Sequence, residues 1–534
     1  MKTDLLIQGG LVVDGTGAAP RQADVGIMGE RIAFIGNGIA VAAREVIDAT
    51  GMVVSPGFID IHTHSDMSLL QDGRAQSKVS QGVTTEVTGN CGFSPFPINP
   101  EYLQLHLDLL AGIGDDAMAL TWVDLEGYRQ AAESRGIAIN IAPLVGHGAL
   151  RIAAMGVESS PASPQQMSRM QSLLWQMLDQ GAFGLTTGLT YVPSRYAPTS
   201  ELVSLCETLA ARGRLYASHA RDKDLHGADH RYGPLDEAMH LGRTTGVKVQ
   251  YSHAAINTPS EWGTASAWVD RFEDAVRHGV DAGFDVYPYD ASSSALTQYL
   301  PAWVQEGGVA AMRERLSDAA TMDRAEAELA TGWSANCIPW LWDRVALART
   351  DGILGAREGQ SIDAAAAAAG KTPARYTLEL CREGGNRVMV VLFYRTENDV
   401  RTFLRCRHAL MGSDGSAIGF DQGTRQPHPR NFGASARMLG RLVRELGDLD
   451  LQTAVFKMTG GVAARLRMFD RGTLTPGAAA DVVVFDPQEV QDRGTYLQPC
   501  QKATGVHHVL VNGHPVVRQG QQTDARPGRV LRAL

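Results

Sequence analysis

A chain of 534 residues exceeds the usual ceiling for one hydrophobic core, so one large domain plus a smaller one is expected. The net charge of −9 argues against nucleic acid as the main partner, and no uncharged apolar stretch is long enough to suggest a membrane span. Six scattered cysteines lack a C-x-x-C pair, and the start Met1-Lys2-Thr3-Asp4 lacks a signal peptide's apolar core; both point to a cytoplasmic protein with free thiols.

Residues 1–54 read as short strands between Gly and Asp turns, at 4–8, 11–14, 24–28, 31–35 and 45–48. The C-terminal end, from 471 to 534, reads alike: a strand at 480–486, then a hairpin of 506–512 and 514–518 around Gly513. Neither end has enough apolar residues for its own core, which predicts one small β-sandwich domain built from both chain termini. The intervening 55–470 alternates apolar runs with helical patterns and is α/β in character. Eight strands are expected at 57–62, 84–89, 138–145, 184–187, 215–219, 248–253, 284–287 and 409–412, with helices such as 163–180, 200–212, 234–245 and 271–278 between them. That alternation predicts a (β/α)8 TIM-like barrel. The gap between the seventh and eighth strands predicts an inserted subdomain over about 295–400. Its Trp333, Trp340 and Trp342 are expected as core, with an acyl-pocket lining as the alternative.

Barrel enzymes place their chemistry at the C-terminal ends of the strands. His62 and His64, two apart after the first strand, point to one side. Cys91 follows strand two, His219 ends strand five, His253 ends strand six and Asp414 follows strand eight. A single strand-end histidine is ordinarily a rim residue; five coincident placements argue for a metal. Imidazole, thiolate and carboxylate together suit Zn2+. A catalytic zinc keeps a position open for water and lowers its pKa to about 7, and Asp414 is the expected general base.

The stretch Gly57-Phe58-Ile59-Asp60-Ile61-His62-Thr63-His64 resembles the first-strand motif of the amidohydrolase superfamily. Gly89-Asn90-Cys91-Gly92-Phe93-Ser94, Gly146-His147-Gly148, the run from Gly184 to Tyr191, Asp285-Val286-Tyr287-Pro288-Tyr289, Gly412-Ser413-Asp414-Gly415 and His428-Pro429-Arg430 narrow the resemblance to the D-aminoacylase (N-acyl-D-amino-acid deacylase) family. The resemblance implies a tight zinc on Cys91, His219 and His253. It also implies a weaker second site on His62, His64 and Asp414, with Cys91 as a bridge in place of a carboxylated lysine. It further implies that Asp414 is the catalytic aspartate, that Arg430 grips the substrate's α-carboxylate, and that Tyr287 and Ser293 help hold it. The family commonly has a lysine two residues after the strand-six histidine; here the text is His253-Ala254-Ala255, leaving Arg430 as the expected sole cation. The spacing from Asp414 to Arg430 is also longer than in the family.

The expected activity is zinc-dependent hydrolysis of a small-molecule amide, giving a carboxylic acid and a D-amino acid or related amine. A cyclic amide, peptide-like substrate or lactone is the alternative within the same chemistry; a non-catalytic metal-binding barrel is the alternative outside it. No nucleic-acid or membrane partner is expected, and homo-oligomerisation is left open.

Overall fold

The structure is a computed structural model. It describes residues 2–37, 41–114, 118–221, 233–333 and 338–534. The barrel strands are, in order, Phe58–Asp60, Val83–Thr88, Asn140–Pro143 with Val145–Gly146, Gly184–Gly188, Leu215–His219, Lys248–Tyr251, Ala282–Val286 and Ala409–Met411. Nearly all their residues are buried, as expected of parallel strands covered on both faces. Each strand pairs in parallel with its neighbours. The ring closes where Thr63 pairs in parallel with Gly415 and the Asp414 N–H donates to the His62 carbonyl at 2.8 Å. Strand three, expected as one piece, is split. Asn140–Pro143 bonds to strand two and Val145–Gly146 to strand four. Pro143 has no N–H to continue a ladder, and the chain changes partner just after it.

The outer helices follow their sequence signals. In Pro164–Asp179 the Ser163 hydroxyl accepts from the Gln166 N–H and the Gln166 side chain returns to the Ser163 N–H. Proline at the first position and this reciprocal cap fix the start. Met170, Leu174, Met177 and Leu178 are the buried residues of that helix, at the spacing of one helical face.

Strands from the two chain ends form one nine-stranded sheet. Lys2–Val12, Arg21–Met28, Arg31–Gly36, Ala42–Asp48 and Val53–Pro56 come from the beginning; Val482–Phe485, Val506–Val511, His514–Arg518 and Gln521–Gln522 come from the end. The seam is the antiparallel pair Val53–Pro56 with Val482–Phe485. The far edge folds back: the Ile32 N–H donates to the Ala478 carbonyl at 2.9 Å, next to that seam. Ile7, Val25, Ile27, Val54, Val482 and Val484 are enclosed between the layers. The two expected strands at 4–8 and 11–14 are one, Lys2–Val12, whose register slips between Ile7 and Gly10 at the left-handed Gly9.

Between strands seven and eight, Ser292–Ala295, Met389–Leu392 and Val345–Arg349 form a separate antiparallel sheet. Helices between 302 and 384 pack on it around a second core that includes Leu347, Tyr376, Leu380 and Val390. Trp333 is buried in that core, while Trp340 and Trp342 stack on each other with ring centroids 4.0 Å apart. Among the described residues no helix is long and apolar enough to cross a membrane.

Candidate metal centre and active site

The barrel mouth opens into a cavity of about 510 Å3, lined by His64, Cys91, His219, His253 and Asp414 on the barrel side. His62 lies just beneath, fully buried. All six donors anticipated from the sequence are brought together. Two overlapping groups could hold a metal, one of His62, His64, Cys91 and Asp414 and one of Cys91, His219 and His253. Within each, one potential ligand atom per residue lies within 4.8 Å of all the others. Cys91 belongs to both. Its sulfur is 3.3 Å from His62 Nε2 and 3.4 Å from His253 Nε2.

The surrounding hydrogen bonds aim the imidazoles. His62 Nδ1 faces Asp285 Oδ1 at 3.0 Å, which turns Nε2 towards Cys91 and Asp414. The same Asp285 oxygen accepts the His253 N–H at 2.8 Å, and its other oxygen accepts from Gln250 at 3.0 Å. His219 Nε2 lies 2.9 Å from the Thr190 hydroxyl, and its buried Nδ1, which has no hydrogen-bond partner among the described residues, is available to a metal. Second partners of this kind fix the tautomer of a ligating histidine. A buried thiol, correctly oriented imidazoles and an unpartnered buried nitrogen fit a zinc-type site. Neither Asp285 nor Thr190 had a role assigned from sequence, although both lie in the stretches that carried the resemblance.

Electrostatics point the same way. Burial pushes the Cys91 thiol up, but the imidazoles of His62 and His253 beside it, with His219 close by, hold it well below the usual thiol range. Burial also pushes the Asp414 carboxyl up, and is outweighed by the Arg430 guanidinium, the His64 bond and His62. Asp414 is held well below the usual carboxylate range. His64 is raised to about 9: burial opposes protonation, and Asp414 and Cys91 overcome it. Asp414 Oδ1 is 3.0 Å from His64 Nε2, and its Oδ2 is 2.8 Å from Arg430 Nη1.

The outer pocket contains the other anticipated residues. Arg430 opens the helix Arg430–Arg437, and its guanidinium carbon sits 4.8 Å from the centre of the Tyr287 ring. Its Nη2 donates to the Ser293 carbonyl at 3.3 Å. Tyr287 and Ser293 both line the cavity. Arg430 is not the sole cation. Arg395, from the stretch after Met389–Leu392, places its guanidinium carbon 4.6 Å from the same Tyr287 ring. Linear spacing concealed it, because the returning strand of the insertion delivers it to the pocket. Of the three tryptophans, Trp333 both belongs to the core and lines the cavity.

Comparison with known proteins agrees with this geometry. The amidohydrolase family model matches residues 45–517. The N-acyl-D-glutamate deacylase of Alcaligenes xylosoxydans xylosoxydans is 36% identical over 99% of this chain and 97% of its own. A solved D-aminoacylase, described as having a binuclear metal centre with one-metal activation and second-metal attenuation, superposes with a TM-score of 0.81 at 34% identity, covering 99% of this chain and 100% of that one. The N-acyl-D-glutamate deacylase of Bordetella bronchiseptica, solved with zinc and a phosphonate mimic of the tetrahedral intermediate, also gives 0.81 at 33% identity, covering 100% of both chains.

Proposed function

The chain belongs to the amidohydrolase family and, within it, to the D-aminoacylases, and from that premise we propose that it uses zinc to deacylate N-acyl-D-amino acids. The observation that carries this reading is the convergence of Cys91, His219, His253, His62, His64 and Asp414 at the floor of one cavity. Cys91, His219 and His253 would hold the tight ion, and His62, His64 and Asp414 would hold a weaker one that shares the Cys91 sulfur. When bound, zinc polarises the scissile carbonyl and acidifies water.

The protein's own groups do the rest. Asp414 enters as a carboxylate, takes the proton from the attacking water and returns it to the leaving amine. Arg430 and Tyr287 orient the substrate through its carboxylate, since a planar guanidinium suits a two-point carboxylate grip. Asp285 and Thr190 keep His62 and His219 turned inward. The free cysteines among the described residues support a cytoplasmic setting.

The test is a panel of N-acyl-D-amino acids, their L forms, dipeptides, lactones and cyclic imides, with metal analysis of the purified protein. Turnover of D substrates with close to one tightly held zinc is expected. Turnover of a lactone or cyclic imide with no N-acyl-D-amino acid hydrolysed would overturn the reading.

A further inference from the structure

We propose that Arg395 is the second cation that grips the substrate's α-carboxylate, supplied from the insertion in place of the lysine missing after His253. The inference rests on the deacylase reading above, and three observations carry it. First, Arg395 and Arg430 both pack against the Tyr287 ring, at 4.6 and 4.8 Å from its centre, so the two guanidiniums converge on one side chain of the pocket wall. Second, Arg395 Nε donates to Asn257 Oδ1 at 3.1 Å. Asn257 lies four residues after His253, on the loop where the lysine would have stood. That loop therefore docks a cation from another element where it carries none itself. Third, the two terminal nitrogens of Arg395 make no hydrogen bond or ion pair among the described residues. Arg430, by contrast, is already committed to Asp414 and the Ser293 carbonyl.

An arginine held at Nε and across its face presents its remaining fork without further loss of freedom. Such a fork matches a carboxylate in two-point geometry. Arg430 alone would have to serve both Asp414 and the substrate; a second guanidinium lets Arg430 keep Asp414 ionised while the carboxylate is shared.

Arg395→Gln is expected to raise KM for N-acyl-D-amino acids about 10- to 100-fold, the size of a lost charged hydrogen bond, with kcat nearly unchanged. The effect should be similar for substrates with neutral and with acidic side chains. It should vanish for analogues whose α-carboxylate is capped as a carboxamide, compared by calorimetric Kd where turnover is slow. Arg395→Lys, which keeps the charge and loses the fork, should fall between the two. Three outcomes would overturn the proposal: no change for the free acids, an equal loss for the capped analogues, or a loss confined to substrates with a side-chain carboxylate. Were the wild type to hydrolyse no N-acyl-D-amino acid, the deacylase reading would fail, and the calorimetric comparison of acid with carboxamide would still decide the role of Arg395.

Discussion

Cys91, His253 and Asp414 share a backbone feature: all three have positive φ, at 53°, 36° and 53°. Residues other than glycine hold such angles at a cost of roughly 1–3 kcal/mol each, and only where neighbours fix them. The neighbours are visible. The Asp414 N–H donates to the His62 carbonyl at 2.8 Å and the His253 N–H to Asp285 at 2.8 Å. The Cys91 carbonyl lies so close to Gly188 that a Cβ there would sit 1.9 Å from it. Each turn swings a side chain off the strand's end towards a common point. Asp414→Ala should therefore keep the metal on Cys91, His219 and His253 and lose turnover by about 10²- to 10⁴-fold, the usual worth of a positioned general base. Metal content measured beside kcat checks both halves. Thr190→Val removes the partner of His219 Nε2 and should weaken metal retention about 10- to 100-fold, read by competition with a chelator. The donors themselves were legible because imidazoles, thiol and carboxylate fall at strand ends. Their left-handed backbone was not, since glycine is the one strong sequence signal of φ above zero, and Asp and His adopt it too seldom to mark it.

Beneath the metal ligands, three barrel strands are joined by a buried lysine. Lys78, on the short helix Gln76–Val79, ion-pairs with Asp60 Oδ2 and with Glu86 Oε1, each at 2.9 Å, and donates to the Ser413 hydroxyl at 2.7 Å. Lys78, Asp60 and Glu86 are almost wholly shielded from solvent. Asp60 lies on strand one two residues before His62, Glu86 on strand two, and Ser413 immediately before Asp414. Removing the cation would leave two carboxylates buried without their partner. Lys78→Met should destabilise the protein by about 3–5 kcal/mol, seen as a lower denaturant midpoint. At this scale the strands and helices were readable from period, caps and Gly or Pro punctuation, as in the Ser163 cap. A lone lysine between strands one and two carries no such signal. Its partners come from strands that meet only when the barrel closes.

The whole molecule is two chain ends in one sheet, a barrel, and an insertion seated on the barrel's rim. The insertion was legible because about a hundred residues between strands seven and eight exceed any βα connection. Its delivery of Arg395 and Trp333 to the cavity was not, since that depends on how its strands return. The helix Leu103–Ala111, after barrel strand two, is where the insertion docks: the Asn386 side chain donates to the Asp108 carbonyl at 2.8 Å. That helix carries His106, which is buried and whose ring nitrogens have no hydrogen-bond partner placed among the described residues. Burial lowers its pKa from 6.5 to about 4, only partly offset by the backbone at Ser94. The sign of the consequence follows. Between pH 6.5 and about 4 the unfolded chain binds a proton at this histidine and the folded protein does not, so stability falls as pH drops through that window. His106→Leu removes the difference while keeping an apolar side chain in the helix. At pH 4.5 the variant should have lost about 2–3 kcal/mol less than the wild type, relative to each protein at pH 7. Denaturant titrations of both proteins at the two pH values, at equal metal content, measure it. Parallel losses in the two proteins would mean that acid acts elsewhere, and would remove His106 as the sensor at the junction of barrel and insertion.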